Sequence, residues 1–346
     1  MDNIKKLLLT EDYDFLRTSE HLGENICMLA LGGSLAYGTN IEGKSDIDVR
    51  GIATERPHEL IGFKSFEQYI DNPTDTVIYG FNKMIKLLMD NNPNIIEILG
   101  CKPEHYLYLN DIGIELIKNS HVFLSQKAAA TFNGYAFQQF NKMRQVVPCE
   151  TFDDGDALIN SFKGAMLTFP DRYPHFTKGS ISFGKSEENA VVADVNLSKY
   201  PVAELNGVFN ELMNIFKTYD KVNHRNNKKD DYHINKHAMH LIRLYMMGTD
   251  ILEKEKIITY REDERELLLD IRNGKYMNPD GKFNSAFFDL KNEYEKRFIY
   301  AKENTSLPVR PDYDKIEEFV MEVNAKIIRE GYDNIKERNH FDDFER

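Results

Sequence analysis

Residues 29–51 read LALGGSLAYGTNIEGKSDIDVRG, and the fold turns on how they are parsed. The run ICMLALGG from Ile26 is short, apolar and closed by two glycines, the pattern of a strand buried on both faces. In DIDVRGIAT, Ile47 and Val49 alternate with Asp46 and Asp48, so a second strand is expected with carboxylates along one face. Carboxylates at i and i+2 of a strand point the same way and repel each other, but together they can share one or two hard cations. With Mg²⁺ bound, such a pair can engage the phosphates of a nucleoside triphosphate. Gly32, Gly33 and Ser34 supply a backbone free to approach a phosphate and offer it amide N–H groups. A solvated strand edge is the competing reading of the aspartates, and a tight turn that of the glycines. The turn and the aspartates together read as one site.

Outward from this stretch, FEQYI and TVIYG are two further strands separated by the turn-rich DNPTD. From Phe81 the period changes: Met84, Ile85, Leu87 and Leu88 form a helical face that ends at NNPN, and a short helix follows whose first turn accepts Pro93. One or two short helices occupy residues 1–23. Beyond about residue 105 the pattern is mostly helical, over 110–119, 121–145, 155–168, 201–219, 233–253, 262–273, 283–303 and 312–340, with a strand pair at SISFG and AVVADV. The expected fold class is α+β. A mixed sheet with helices fills a first domain, residues 1–108, and a mainly helical second domain spans 109–346.

The chain has 346 residues, 41% hydrophobic and 29% charged, which suits one large or two moderate cores. No apolar run approaches the roughly 20 residues that cross a bilayer. The N-terminal segment meets acidic residues before a signal-peptide core can form, so a cytoplasmic location without membrane partners is expected. Cys27, Cys101 and Cys149 are too far apart for a zinc or disulfide framework and read as small buried side chains. The net charge of −12 opposes bulk attraction to nucleic acid, so any RNA contact must use a local basic groove.

GGSLAYGTN followed by SDIDVRG resembles the signature of the polymerase-beta-type nucleotidyltransferase superfamily, a Gly-Ser turn and then Asp-x-Asp on the next strand. Within it, GSLAYG, SDIDVRG and NPNIIEILG are most similar to the predicted nucleotidyltransferases associated with RNA ligases, and the likeness continues into FNGYAFQQFNKMR and KHAMHLIRL. The resemblance implies a polymerase-beta-like palm in which Gly33 and Ser34 bind the triphosphate. It also implies that Asp46 and Asp48 coordinate two Mg²⁺ ions, with Mn²⁺ as a substitute. A third carboxylate on a later strand belongs to the pattern; Asp75 is the candidate and Asp71 its rival.

Lys44 and Arg50 flank the aspartates and could neutralise phosphate charge, although cations beside acidic residues are common on surfaces. On INKHAMHLIRLYMM, Lys236, His240 and Arg243 share one helical face that could meet the nucleotide or an acceptor; a solvated face is the alternative. Tyr135, Gln138, Gln139, Lys142 and Arg144 suit stacking on a base and reading its edge, while Phe132, Phe137 and Phe140 are assigned to the core. His233, His237 and His240 do not make a convincing zinc set. The expected activity is Mg²⁺-dependent transfer of a nucleoside monophosphate from an NTP to an acceptor hydroxyl, an RNA end such as a tRNA 3′ end, with release of pyrophosphate. Nucleotidylation of a protein or small molecule, and a silent NTP-binding module, are the alternatives.

Overall fold

The structure is a computed structural model, and it describes residues 2–41, 43, 45–144, 159, 166, 169–177, 179–186, 191–224, 231–279 and 281–338. A five-stranded mixed sheet organises the N-terminal part. Its strands are β1 (Ile26–Leu31), β2 (Val49–Ala53), β3 (Gln68–Asp71), β4 (Thr76–Gly80) and β5 (Tyr106–Leu109), in the order β3-β4-β2-β1-β5. β1 pairs antiparallel with β2 and β5, β2 runs parallel to β4, and β3 closes a hairpin on β4. Every residue of β1 is buried. Its alternation divides the core: Met28 and Ala30 join the larger cluster, Leu29 and Leu31 the smaller one under the N-terminal helices.

The helices before residue 144 are α1 (Asp2–Leu7), α2 (Phe15–Thr18), α3 (Gly33–Tyr37), α4 (Pro57–Leu60), α5 (Phe81–Met89), α6 (Pro93–Ile96), α7 (Asp111–Lys118) and α8 (Lys127–Arg144). α5 buries Phe81, Met84, Ile85 and Leu88, at the helical spacing read in the sequence. α6 starts with Pro93 after Asn92, whose side chain accepts the Asn94 amide at 3.1 Å. β5 is the one sheet strand without a counterpart in the sequence reading, because its four residues run directly into α7.

The chain forms two compact units, residues 1–143 with 231–346, and residues 144–230. That division differs from the boundary expected at residue 108. The reason is a shared core: α11 (Asp231–Lys254) contributes Ala238, Met239, Leu241 and Ile242 to the cluster that also holds Met28, Ile52 and Phe81. From Leu241 to Leu252 every residue of α11 is buried. α12 (Arg265–Arg272) and α13 (Ser285–Asn304) pack on α11, and α14 (Tyr313–Arg338) sends Ile316, Phe319 and Val323 into the same cluster.

In the unit 144–230, the short α9 (Phe169–Arg172), the hairpin β6 (Ile181–Lys185) and β7 (Val191–Val195), and α10 (Val202–His224) surround Phe169, Phe176, Ile181, Val208 and Leu212. The hairpin matches the expected SISFG and AVVADV pair. Most of the helix expected over 155–168 lies outside the described residues, as does Cys149. Cys27 is buried, and Cys101 is partly so.

Candidate active site

Three strand ends build the site. Gly32 leaves β1 and its amide donates to the Asp48 carbonyl at 2.8 Å, which brings the glycine turn against the start of β2. Asp48 and Asp75 each immediately precede a strand of the parallel pair, and the register Val49↔Thr76 sets them side by side. The Val49 amide donates to the Asp75 carbonyl at 3.3 Å, so even the backbone ties the two positions together. Regular pairing of β2 begins only at Val49; Asp46 and Asp48 lie in its extended lead-in.

The carboxyl groups of Asp48 and Asp75 share a hydrogen bond. Burial first, then that bond and the charge of Asp75, push Asp48 up to about 7 against opposing pulls from Arg50 and Lys236. The same hydrogen bond, aided by Arg50 and Lys236, holds Asp75 below the usual carboxylate range. Of the two crowded carboxylates, Asp48 is therefore the one that holds a proton more readily. Asp71 takes a different part: its Oδ2 accepts the Thr74 amide at 3.1 Å and the Thr74 hydroxyl at 2.8 Å, locking the β3-β4 turn. Of the two rivals for the third carboxylate, Asp75 is the one that meets Asp48.

Arg50 is an internal counter-ion. Its Nη2 reaches Asp48 Oδ1 at 3.5 Å and Asp75 Oδ1 at 3.3 Å, and its Nη1 donates to the Asp75 carbonyl at 2.6 Å. Lys236 is exposed on α11 and adds a second positive charge within electrostatic reach of both aspartates. Asp46 is exposed, and among the described residues no three His, Cys, Asp or Glu side chains are placed together to hold a metal ion. The expected convergence of Asp46, Asp48 and Asp75 is thus realised for two of the three. Asp46 lies in the exposed lead-in, while Arg50 reaches both of the others. The donors themselves suit a hard divalent cation: two neighbouring carboxylate oxygens whose joint ionisation is favoured by added positive charge.

The glycines have a packing role as well. Gly33 has φ +54°, and a side chain there would run into Asp48 Oδ2; a Cβ on Gly32 would lie 2.9 Å from Arg50 Cγ. Gly32 caps α3 without a side chain, and Ser34 follows in the first turn, so the turn presents amides and a hydroxyl beside the carboxylate pair.

The basic face expected on α11 divides. Lys236 is exposed and within electrostatic reach of the aspartates, whereas Arg243 is 3% exposed and pairs with Glu97 Oε2 at 3.0 Å, its guanidinium 3.6 Å over the Tyr37 ring. Tyr37 in turn donates to Glu97 Oε1 at 2.7 Å. His240 packs edge-on against Tyr37, and burial, with Arg243 and Lys236 nearby, keeps its imidazole neutral. Nucleotide contact by Arg243 is therefore corrected to a buried brace behind α3, because α11 dives into the core after its second turn. His240 belongs to the same brace.

Lys44 lies outside the described residues. On α8, Tyr135 accepts from Asn92 Nδ2 at 3.1 Å and Gln139 Oε1 meets His237 Nδ1 at 2.8 Å, while Gln138 and Lys142 are exposed. Phe132 is fully buried, Phe140 packs against the core, and Phe137 is 62% exposed, against its assignment to the core. Sequence reasoning missed Tyr37 and Glu97, although both sit inside the segments GSLAYG and NPNIIEILG.

Residues 11–152 match the family described as RlaP, the RNA repair pathway DNA polymerase beta family. This stretch, less than half of the chain, is thus similar to the polymerase-beta-type nucleotidyltransferases. It contains the whole sheet, the glycine turn and all three candidate carboxylates; KHAMHLIRL lies beyond it. No curated protein and no solved structure matches the chain. The α+β architecture, with its mixed sheet followed by mainly helical segments, agrees with the family. No helix among the described residues is long and apolar enough to cross a membrane.

Proposed function

We propose that the chain transfers a nucleoside monophosphate from an NTP to a hydroxyl at an RNA end. The observation that carries this reading is the Asp48–Asp75 pair set against the Gly32-Gly33-Ser34 turn, within a segment matched to an RNA-repair nucleotidyltransferase family. The acceptor oxygen forms a bond to the α-phosphorus, the α–β anhydride bond breaks, pyrophosphate leaves with the bonding pair, and the hydroxyl proton passes to solvent or a carboxylate. Gly33 and Ser34 hold the phosphates through backbone N–H groups and the Ser34 hydroxyl. Lys236 and Arg50 offset the charge of the polyphosphate.

Asp48 and Asp75, joined by Asp46, are the residues to hold divalent cations, two Mg²⁺ or Mn²⁺ ions. A cation held there would supply Lewis acidity toward the acceptor hydroxyl and positive charge for the departing pyrophosphate. Without it, Arg50 is the group that spans the two carboxylates. RNA would approach through a local basic groove that includes Lys236, since the whole chain is acidic.

Incubation with each labelled NTP, Mg²⁺ and either total RNA or total protein tests the proposal. Label on RNA with release of pyrophosphate is expected, and is lost in Asp48→Asn and Asp75→Asn. Label on polypeptide would move the acceptor to protein. The Arg50 bridge favours one second reading, a silent NTP-binding module, which would bind NTP tightly and release no pyrophosphate with any acceptor.

A further inference from the structure

Arg272, at the end of α12, is 2% exposed, and its Nε is buried without a partner among the described residues. No carboxylate among the described residues lies within ion-pair distance of it. Its bonds go to neutral oxygens: Nη1 donates to the Thr39 carbonyl, and Nη2 donates to Ser45 Oγ at 3.3 Å and Tyr232 Oη at 2.6 Å. Burying a guanidinium without an anionic partner is costly, and apolar side chains fill such space at less expense. Two of its three acceptors are the first and last residues of Thr39–Ser45, the segment that leads from α3 to Asp46. Ser45 closes that segment internally, its Oγ accepting the Ile41 amide at 2.8 Å and its own amide donating to the Ile41 carbonyl at 3.0 Å.

A neighbouring contact serves only the near end. Arg265 Nε donates to the Gly38 carbonyl at 2.7 Å, and among the described residues it makes no hydrogen bond to Thr39–Ser45. Only the forked guanidinium of Arg272 spans both ends, a geometry that lysine cannot reproduce.

We propose that Arg272 is a positioning residue for the divalent-cation site: by fixing Thr39 and Ser45 it sets the approach of Asp46 to Asp48 and Asp75. This rests on the nucleotidyl-transfer reading above. Outer partners that orient metal ligands typically contribute about 10–100-fold to metal affinity. Arg272 does not bond Asp46 itself and acts on it one residue removed, through Ser45.

Mn²⁺ titration of the full chain, followed by electron paramagnetic resonance, tests it on wild type, Arg272→Lys, Ser45→Ala and Tyr232→Phe. Arg272→Lys and Ser45→Ala are expected to weaken Mn²⁺ binding by roughly 10-fold or more with unchanged far-UV circular dichroism. Tyr232→Phe, which removes the one acceptor outside the segment, should stay within about twofold of wild type on the same scale. A merely structural Arg272 would lower thermal stability without changing the Mn²⁺ affinity of the folded protein. Wild-type affinity in folded Arg272→Lys overturns the proposal; if that variant does not fold, wild-type affinity in Ser45→Ala does so. A wild type that takes up no Mn²⁺ at all would instead overturn the transferase reading itself.

Discussion

Replacing Asp48 with Asn should stabilise the metal-free protein while abolishing its transfer activity. The Asp48 carboxyl is raised from 3.8 to about 7, with 19% of its side chain exposed. A raised acid contributes stability that is complete below its unfolded pKa and is lost as pH rises through the folded one. The cost of Asp48 is therefore near zero below pH 4, grows up to about pH 7, and is constant above it. A gap of about 3 units at 1.36 kcal/mol each sets a ceiling of about 4 kcal/mol. Residual solvent and the opposite shift of Asp75 bring the expected effect to about 2 kcal/mol. An Asn amide still donates to Asp75, as protonated Asp48 does, so the hydrogen bond survives. Urea unfolding in EDTA should show Asp48→Asn more stable by about 2 kcal/mol at pH 8 and by less than half of that at pH 5. Mg²⁺ should then raise the midpoint of the wild type more than that of the variant. A variant no more stable than wild type at pH 8, or one whose gain is the same at both pH values, refutes the assignment of the proton to Asp48.

Asp75→Asn should lower pyrophosphate release by at least about 100-fold, whereas Asp71→Asn should keep activity within severalfold because its carboxylate serves only the turn. Equal losses in the two would reverse that assignment. Gly33→Ala drives a methyl into the Asp48 carboxylate at a left-handed backbone position, so activity should fall with a stability loss of about 1–3 kcal/mol, read by pyrophosphate release and thermal melting. Arg243→Ala leaves Glu97 buried with the Tyr37 hydrogen bond but no counter-ion; a loss of about 3–5 kcal/mol in denaturant unfolding is expected, and a loss under about 1 kcal/mol would show that the pair braces nothing.

Much of the sheet was legible because β1, β2 and β4 announce themselves by uninterrupted or alternating apolar residues next to glycines. The helices after residue 105 followed from their 3.6-residue periodicity, and the closeness of the glycine turn to Asp48 from one contiguous motif. What escaped depends on contacts between distant positions. Glu97 and Arg243 are 146 residues apart, and Arg272 and Thr39 are 233 apart, so no window of sequence displays either pair. The basic face of α11 shows the limit most clearly. Helical spacing correctly aligns Lys236, His240 and Arg243, but only packing shows that the helix is exposed at the first and submerged by the third. The same holds for Asp46 and Asp48, which share a strand parity yet differ in exposure because regular pairing starts after both.

The unit 144–230 interrupts the larger unit between α8 and α11, and the hydrogen bond from His237 to Gln139 holds the flanking helices together near the break. The chain thus departs and returns at neighbouring places. Departure and return at neighbouring places let the intervening 144–230 be lengthened, shortened or exchanged without redrawing the sheet or the aspartates. Selection could then retune one part of the chain while the phosphate chemistry stays constant.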